Sequence, residues 1–114
     1  MPDTDTAQAQ ETILNWLEEA KFFGDEDQDV TKRANPRHAW KRPMELLVDD
    51  KIFYVYSRDI SKDGIGLTCR RHLGEGARVR VRRDSNDSWV PARVAHCTKT
   101  VGAFKVGIEL TFDF

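Results

Sequence analysis

Two patterns of apolar residues divide this chain. Near the N-terminus, four apolar side chains recur at spacings of three and four residues, which predicts an amphipathic α-helix. From residue 44 onward apolar and polar residues alternate, as they do in β-strands with one buried face. The stretch 24–43 has neither period, and we predict that it is an extended, polar connector. The apolar residues of the helix are Ile13, Trp16, Leu17 and Ala20.

Six short alternating stretches, each bounded by turn residues, follow the connector. This arrangement predicts an antiparallel barrel or sandwich, and closure into a barrel would also remove unpaired strand edges. The turn before the third stretch offers Gly64 for a positive φ angle, and Pro91 predicts an edge or a bulge in the fifth stretch. The predicted strands cover residues 44–48, 52–60, 65–70, 77–83, 88–97 and 104–112.

The apolar stripe of the helix has to be covered, because Trp16, Phe22 and Phe23 are costly to leave in water. The residues alone leave two interpretations open. Either the helix packs against its own barrel, or it contacts a partner or a second copy of the chain.

Composition limits the class of protein. The 114 residues, 39% of them hydrophobic, suffice for one domain with a small core. No apolar run approaches the roughly 20 residues of a membrane helix, and no export signal is visible. Cys69 and Cys97 are predicted to be buried thiols and not a disulfide framework or a metal pair. We therefore expect a cytoplasmic protein without membrane insertion.

Charge is distributed unevenly along the chain. Residues 1–30 hold nine acidic residues and one lysine, a net charge of −8, whereas residues 31–114 hold seventeen Lys or Arg and ten acids, a net charge of +7. A basic body favours anionic partners through its long-range field. Alternatively, the acidic leader only neutralises the body and keeps the protein soluble.

The first candidate motif is the pair Arg33 and Arg37 in "KRANPR" at 32–37. In a chain bent by Pro36, the two guanidinium groups can converge on one ligand. Arginine suits phosphate, the O6/N7 edge of guanine and the face of a base. An arginine pair in a polar loop is also typical of a solvated surface.

The second candidate motif lies in "RDISKDGIG" at 58–66. The Asp59 carboxylate could accept the N1–H and N2–H₂ donors of guanine. Ser61, two residues along the strand, would face the same side, and Gly64 would let the backbone approach a flat ring closely. The alternative is that Asp59 and Ser61 only cap the turn and that Gly64 only forms it.

Together, Arg33-x-x-x-Arg37 and Asp59-x-Ser61-x-x-Gly64, followed by three further strands, resemble the PilZ domain family. The resemblance implies a six-stranded antiparallel β-barrel that binds cyclic di-GMP, a bacterial second messenger. It implies that the two arginines hold the phosphates and guanine faces. The other three residues would line the barrel side of the same site.

The resemblance also implies the domain organisation. It covers about residues 31–114 and includes the closing stretch "VGIEL" at 106–110. We predict a mainly β fold in which a PilZ-like barrel over 31–114, with the arginine connector, follows an acidic helical extension over 1–30.

Further ligand candidates are Lys32, Trp40 and Arg70. Trp40 would either stack on a guanine or plug the barrel. Arg70, with Arg71 and His72, would either extend the phosphate field or belong to a solvated outer face. The three histidines of the chain lack metal-ligand spacing, so we expect no metal.

Three functions remain for test. The first is a non-catalytic cyclic di-GMP receptor that changes conformation and relays the signal to an unidentified downstream protein, with the N-terminal helix as the contact. The alternative is a PilZ-like interaction module that does not use the nucleotide. Single-stranded nucleic acid ranks last, because "RVRVRR" at 78–83 places valine, and not an aromatic residue, between its arginines. We expect no DNA partner, no cofactor and no enzyme activity, since no nucleophile, base and orienting group fall together.

Overall fold

The structure, a computed structural model, describes residues 4–23 and 36–112. Within these ranges the chain is mainly β, a six-stranded antiparallel barrel with one N-terminal helix, as predicted. A two-residue strand in the connector is an addition to the prediction. The elements are α1 (Thr4–Phe23), β1 (His38–Ala39), β2 (Pro43–Val48), β3 (Lys51–Ile60), β4 (Gly64–Cys69), β5 (Arg78–Arg82), β6 (Val90–Thr100) and β7 (Ala103–Leu110).

The six longer strands form a closed antiparallel ladder. Their order is β3-β2-β5-β6-β7-β4, and β4 pairs again with β3. Closure gives every strand one inward face, which is why alternation predicts each of them. The largest difference in strand ends is in β6, which continues to Thr100 through residues predicted to form a turn. Pairing with β7 runs as far as Thr100 and Ala103 and leaves only Val101 and Gly102 in the turn.

The turns depend on residues with a positive φ angle. Asp49 and Asp50, between β2 and β3, have φ angles of 50° and 64°, as a two-residue type I′ hairpin requires. Gly102 has a φ of 78°. The expectation of a positive φ at Gly64 is wrong. This residue has to be glycine because a Cβ there would lie 2.5 Å from the carbonyl oxygen of Ile108 on β7.

The barrel interior and the inner face of α1 form one hydrophobic core. Side chains from β2 to β7 alternate into it, and α1 packs against β1, β3 and β6. Burial of each large side chain stabilises the fold by about 1.5–3 kcal/mol. The helix therefore packs against its own barrel. The largest fully buried residues are Trp16, Ile13, Met44, Leu46, Ile60, Ile65, Leu67, Val55, Val81, Val90, Val94 and Val106.

Helix α1 is fastened to the connector by two tryptophans and one carboxylate. Trp16 stacks on Trp40 with ring centroids 5.3 Å apart and planes at 27°. Glu19 accepts a hydrogen bond from the Trp40 indole at 2.8 Å, pairs with Arg42, and lies 3.5 Å from Arg83. Burial raises the pKa of Glu19, but the hydrogen bonds from Trp40 and Arg42 and the nearby arginine charges outweigh it, so the pKa lies below its ordinary value.

Two β-bulges interrupt the alternation. The register shifts between Ser57 and Asp59 in β3 and between Val94 and His96 in β6. Each bulge adds one residue to its strand, so Asp59 and His96 face outward where strict alternation would turn them inward. Pro91 predicts an edge or a bulge in β6, and the strand has a bulge. It occurs further along, and Pro91 itself lies at the start of β6, before pairing with β7 begins.

Among the described residues there is no helix with the length and apolar character that crossing a bilayer requires.

Candidate functional site

The connector is held against the barrel by β1. Ala39 pairs with Asp59, and the backbone N–H of Trp40 donates to the carbonyl oxygen of Arg58 at 3.0 Å. Arg37 immediately precedes β1, so this pairing fixes where its side chain starts. The connector thereby carries an arginine to an aspartate that is 22 positions away in sequence.

The Asp59 carboxylate is the centre of charge at this place. Arg37 Nη1 donates to Asp59 Oδ1 at 3.2 Å, and Arg58 Nη1 lies 3.9 Å from Oδ2. The Arg58 side chain also reaches across β4 and donates to the carbonyl oxygens of Leu67 and Val106 at 3.3 and 3.4 Å. All three charged side chains remain partly exposed. Two guanidinium groups and one carboxylate therefore face solvent together.

A row with two adjacent glycines, both buried beneath neighbouring side chains, extends from this cluster across the barrel wall. Gly66 pairs with Asp59 on one side and with Gly107 on the other, and Gly107 pairs with His96. A Cβ on Gly66 would lie 2.7 Å from Asp59 Oδ1 and 3.0 Å from Arg58 Nη2. A Cβ on Gly107 would lie 2.2 Å from His96 Nε2. We call the line Asp59–Gly66–Gly107–His96 the glycine row.

The two bulges and the two glycines act together in the glycine row. The bulges bring Asp59 and His96 to the outer face at its ends, and the glycines leave no side chains between them. The Asp59 carboxylate and the movable ends of Arg58 and His96 lie over the two glycines. A flat ring could lie on this floor with a carboxylate for its N–H donors and guanidinium groups for a neighbouring anion.

A family model for the PilZ domain matches residues 31–113, which is most of the chain. The chain belongs to the PilZ domain family. PilZ domains typically bind cyclic di-GMP and are generally non-catalytic receptors, and no catalytic family is indicated. No curated protein matches the chain.

The second motif of this PilZ domain divides into two parts in the structure. Asp59 is available at the surface, whereas Ser61 is fully buried in the turn between β3 and β4. The Ser61 hydroxyl donates to the Asp63 carboxylate and accepts from the Asp63 N–H at 3.3 Å, while the Ser61 N–H donates to the carbonyl oxygen of Gly64 at 2.9 Å. In this conformation Ser61 and Gly64 build the hairpin that holds Asp59 in place.

The remaining predicted residues lie elsewhere or outside the described ranges. Trp40 is buried and stacks on Trp16 of α1. Arg70 is exposed just beyond β4, four residues from Gly66, or roughly 13 Å along the strand direction. It does not join the cluster around Asp59. Arg33 and Lys32 fall outside the described residues.

Sequence reasoning missed Arg58, Gly66, Gly107 and His96. Arg58 directly precedes Asp59, but alternation gives neighbours on a strand opposite faces, and only the bulge lets both face outward. The two glycines stand out in the sequence as strand-interior glycines, which is a signal of close backbone approach. Their adjacency depends on the pairing of β4 with β7.

Proposed function

We propose that this PilZ domain is a non-catalytic receptor for cyclic di-GMP and that the nucleotide binds along the glycine row. The observation that carries the proposal is the contact of Arg37 with Asp59 at 3.2 Å, at the end of a two-glycine floor. Arginine is well suited to bind phosphate, and a carboxylate can accept the N–H donors of guanine. Membership of a family that typically binds this nucleotide supports the same ligand.

Binding would exchange one partner of Asp59 for another. In the structure, Arg37 pairs with the carboxylate and Arg58 lies 3.9 Å from it. The N1–H and N2–H₂ donors of a guanine can replace Arg37 on the carboxylate, which frees that guanidinium for a phosphate. Arg33 is proposed to hold the second anionic position. Ser61 and Gly64 would act by supporting the hairpin under the base.

The proposed signal passes from this site to helix α1 through Ser57. Its hydroxyl donates to the carbonyl oxygen of Trp40 at 2.5 Å and accepts from the N–H of Arg42 at 2.9 Å. Trp40 and Arg42 are the residues that hold Glu19 of the helix. A ligand that moves the connector would therefore change how tightly α1 is held against the barrel. This requires that the ligand binds one position of the connector more strongly than the other.

The output would be a change in the helix surface offered to a downstream protein. We propose a cytoplasmic location, because cyclic di-GMP is a messenger made inside bacterial cells.

Isothermal titration calorimetry with cyclic di-GMP tests the receptor proposal. We expect Arg37→Ala, Arg33→Ala and Asp59→Ala each to weaken binding by roughly thirty-fold to several thousand-fold, because each leaves a charged partner unpaired. Arg78→Ala is the matched control, since it removes an exposed arginine from β5 on another part of the barrel. If the three site variants bind like the wild type, the proposed site is wrong.

Tryptophan fluorescence tests the relay separately. In a Trp89→Phe background, the stacked pair Trp16 and Trp40 supplies the signal. We expect a change that saturates with the dissociation constant found by calorimetry. Binding without a fluorescence change would contradict the relay and leave the receptor intact. Absence of binding would instead favour the interaction module that does not use the nucleotide.

A further inference from the structure

A second feature of the outer surface lies on β2, β3, β5 and β6. Across these strands Ile52 pairs with Leu47, Leu47 with Arg80, and Arg80 with Pro91. These residues, apart from Ile52, line an open groove of about 1070 Å³ that is bounded by the Asp49–Asp50 turn. We call this surface, with Arg78 and Arg93 in the next row, the groove wall.

The groove is lined by charges of both signs, of which Arg93 and Glu109 pair with each other. Arg78, Arg80, Asp49 and Asp50 make no ion pair within the part of the chain that the structure describes, although all four line the groove. Arg78 also lies directly opposite Arg93 in the ladder, although Arg93 has Glu109 as its partner. Two arginines and two aspartates therefore line one groove without an ion pair among the described residues.

Exposed apolar side chains continue the same wall onto β3. Ile52, Tyr54 and Tyr56 point outward at alternate positions and are 44%, 81% and 63% exposed. Ile52 connects this stripe with Leu47 at the floor of the groove. Tyrosine and arginine are enriched in protein interfaces, and contiguous exposed apolar residues mark such surfaces.

The presence of both positive and negative charges in the groove favours a second copy of the chain over a polyanion as the partner. A polyanion such as nucleic acid would be attracted by Arg78 and Arg80 but repelled by Asp49 and Asp50. A second copy of this chain offers partners for both the arginines and the aspartates. A two-fold axis would place the acidic turn of each copy against the arginines of the other, which gives two equivalent contacts. The closed ladder of β2 to β7 leaves these strands no unpaired edge, so they can associate only through a face.

We propose that two copies of this chain associate through the groove wall, with the Asp49–Asp50 turn of each copy in the groove of the other. The apolar stripe of Ile52, Tyr54 and Tyr56 would then be covered as well. A standard interface buries about 800 Å² on each partner, which is roughly a tenth of the 7467 Å² surface described. This proposal does not depend on the ligand of the glycine row.

Sedimentation velocity over a wide concentration range, with the purified full chain and no nucleotide, tests the proposal. We expect concentration-dependent dimers that dissociate at high salt. Arg80→Asp and Asp50→Lys should each raise the dissociation constant by about tenfold or more, since each places like charges across the interface twice. Arg70→Asp is the matched control, because Arg70 is an exposed arginine that does not line the groove.

A mixture of the two variants gives the sharpest result. Arg80→Asp mixed with Asp50→Lys should form heterodimers again, because the exchanged charges are opposite at both contacts. Recovery also demonstrates that each variant is folded, and far-UV circular dichroism checks this directly. The proposal is overturned if the wild type is monomeric at every concentration, if its dimer is indifferent to both substitutions, or if mixing restores nothing.

Discussion

The glycine row and the groove wall are two outer surfaces of the same closed barrel, and they are built by opposite means. On the groove wall, alternation is strict: Val79 and Val81 are buried, and Arg78 and Arg80 point outward. On the glycine row, one bulge in β3 and one in β6 interrupt the alternation, and two of the four positions are glycines.

The difference shows how an ordinary strand pattern is converted into a possible ligand surface. Regular strands present side chains that stand apart from one another, which suits contact with another large surface. Bulges and glycines weaken a strand locally, but they permit close approach of a flat molecule to the backbone. The core shared with α1 supplies the stability that allows such irregularities.

The largest effect is expected at Gly64, which lies in β4 two residues before Gly66 of the glycine row. In Gly64→Ala the new Cβ would lie 2.5 Å from the backbone oxygen of Ile108, so β4 and β7 would have to separate. We expect the free energy of unfolding to fall by about 3 kcal/mol. Urea denaturation measures it. Gly74→Ala, which meets nothing within 4 Å, should change it by less than about 0.5 kcal/mol; similar losses in both would contradict the packing role of Gly64.

Gly66→Ala separates binding from stability. Here the new Cβ would meet Asp59 Oδ1 and Arg58 Nη2, which are ends of side chains that can swing away. We expect unfolding to change by less than about 1 kcal/mol, but affinity for cyclic di-GMP to fall by about thirty-fold or more, because the floor is raised and the carboxylate displaced. Calorimetry that finds unchanged affinity would show that the nucleotide does not lie on the glycine row.

Glu19→Gln tests how firmly the helix is attached to the connector. We expect a loss of about 1.5 kcal/mol at neutral pH, because Trp40 and Arg42 lose a charged acceptor. The folded pKa of Glu19 is lowered, so its stabilisation is complete above the ordinary value of 4.5 and is lost as the pH falls through the folded pKa. The stability difference between variant and wild type should therefore shrink below about pH 4.5.

The control for this experiment is Glu18→Gln, which removes an exposed carboxylate from the same helix. Chemical denaturation at several pH values should detect almost no change for it. An equal effect of the two substitutions would mean that helix charge, and not the contact with Trp40, is responsible.

Asp50→Gly changes the turn that bounds the groove wall, and it has the smallest expected effect. A type I′ turn favours glycine at its second position, so we expect unfolding to become about 0.5–1 kcal/mol less favourable. The same change removes a carboxylate from the groove and should weaken self-association. A loss of stability in urea would instead indicate that the Asp50 carboxylate has a stabilising contact within its own chain.

Alternation and turn residues predict six strands of an antiparallel barrel or sandwich, because every strand has one face in the core, and the family resemblance implies the barrel. They predict α1 because its apolar stripe repeats with the helical period. Arg37 of the first motif lies 3.2 Å from Asp59 of the second, whereas Arg33 lies outside the described residues. Their roles toward a ligand stay predictions.

The positions of the two bulges could not be predicted, because strand register is decided by the neighbouring strand. Strict alternation puts Ser57 and Asp59 on the same face, whereas pairing with β4 places Ser57 inside and Asp59 outside. For the same reason alternation does not predict that Arg58 and His96 lie at this surface.

The glycine row crosses four strands whose residues are far apart in sequence but joined by one set of backbone hydrogen bonds. A molecule seated there would hold all four strands, and none could detach before it departs. Its binding energy would then be added to the global unfolding equilibrium and not only to that of a local loop. Candidate nucleotides could accordingly be ranked, without labels, by how far each one raises the melting temperature.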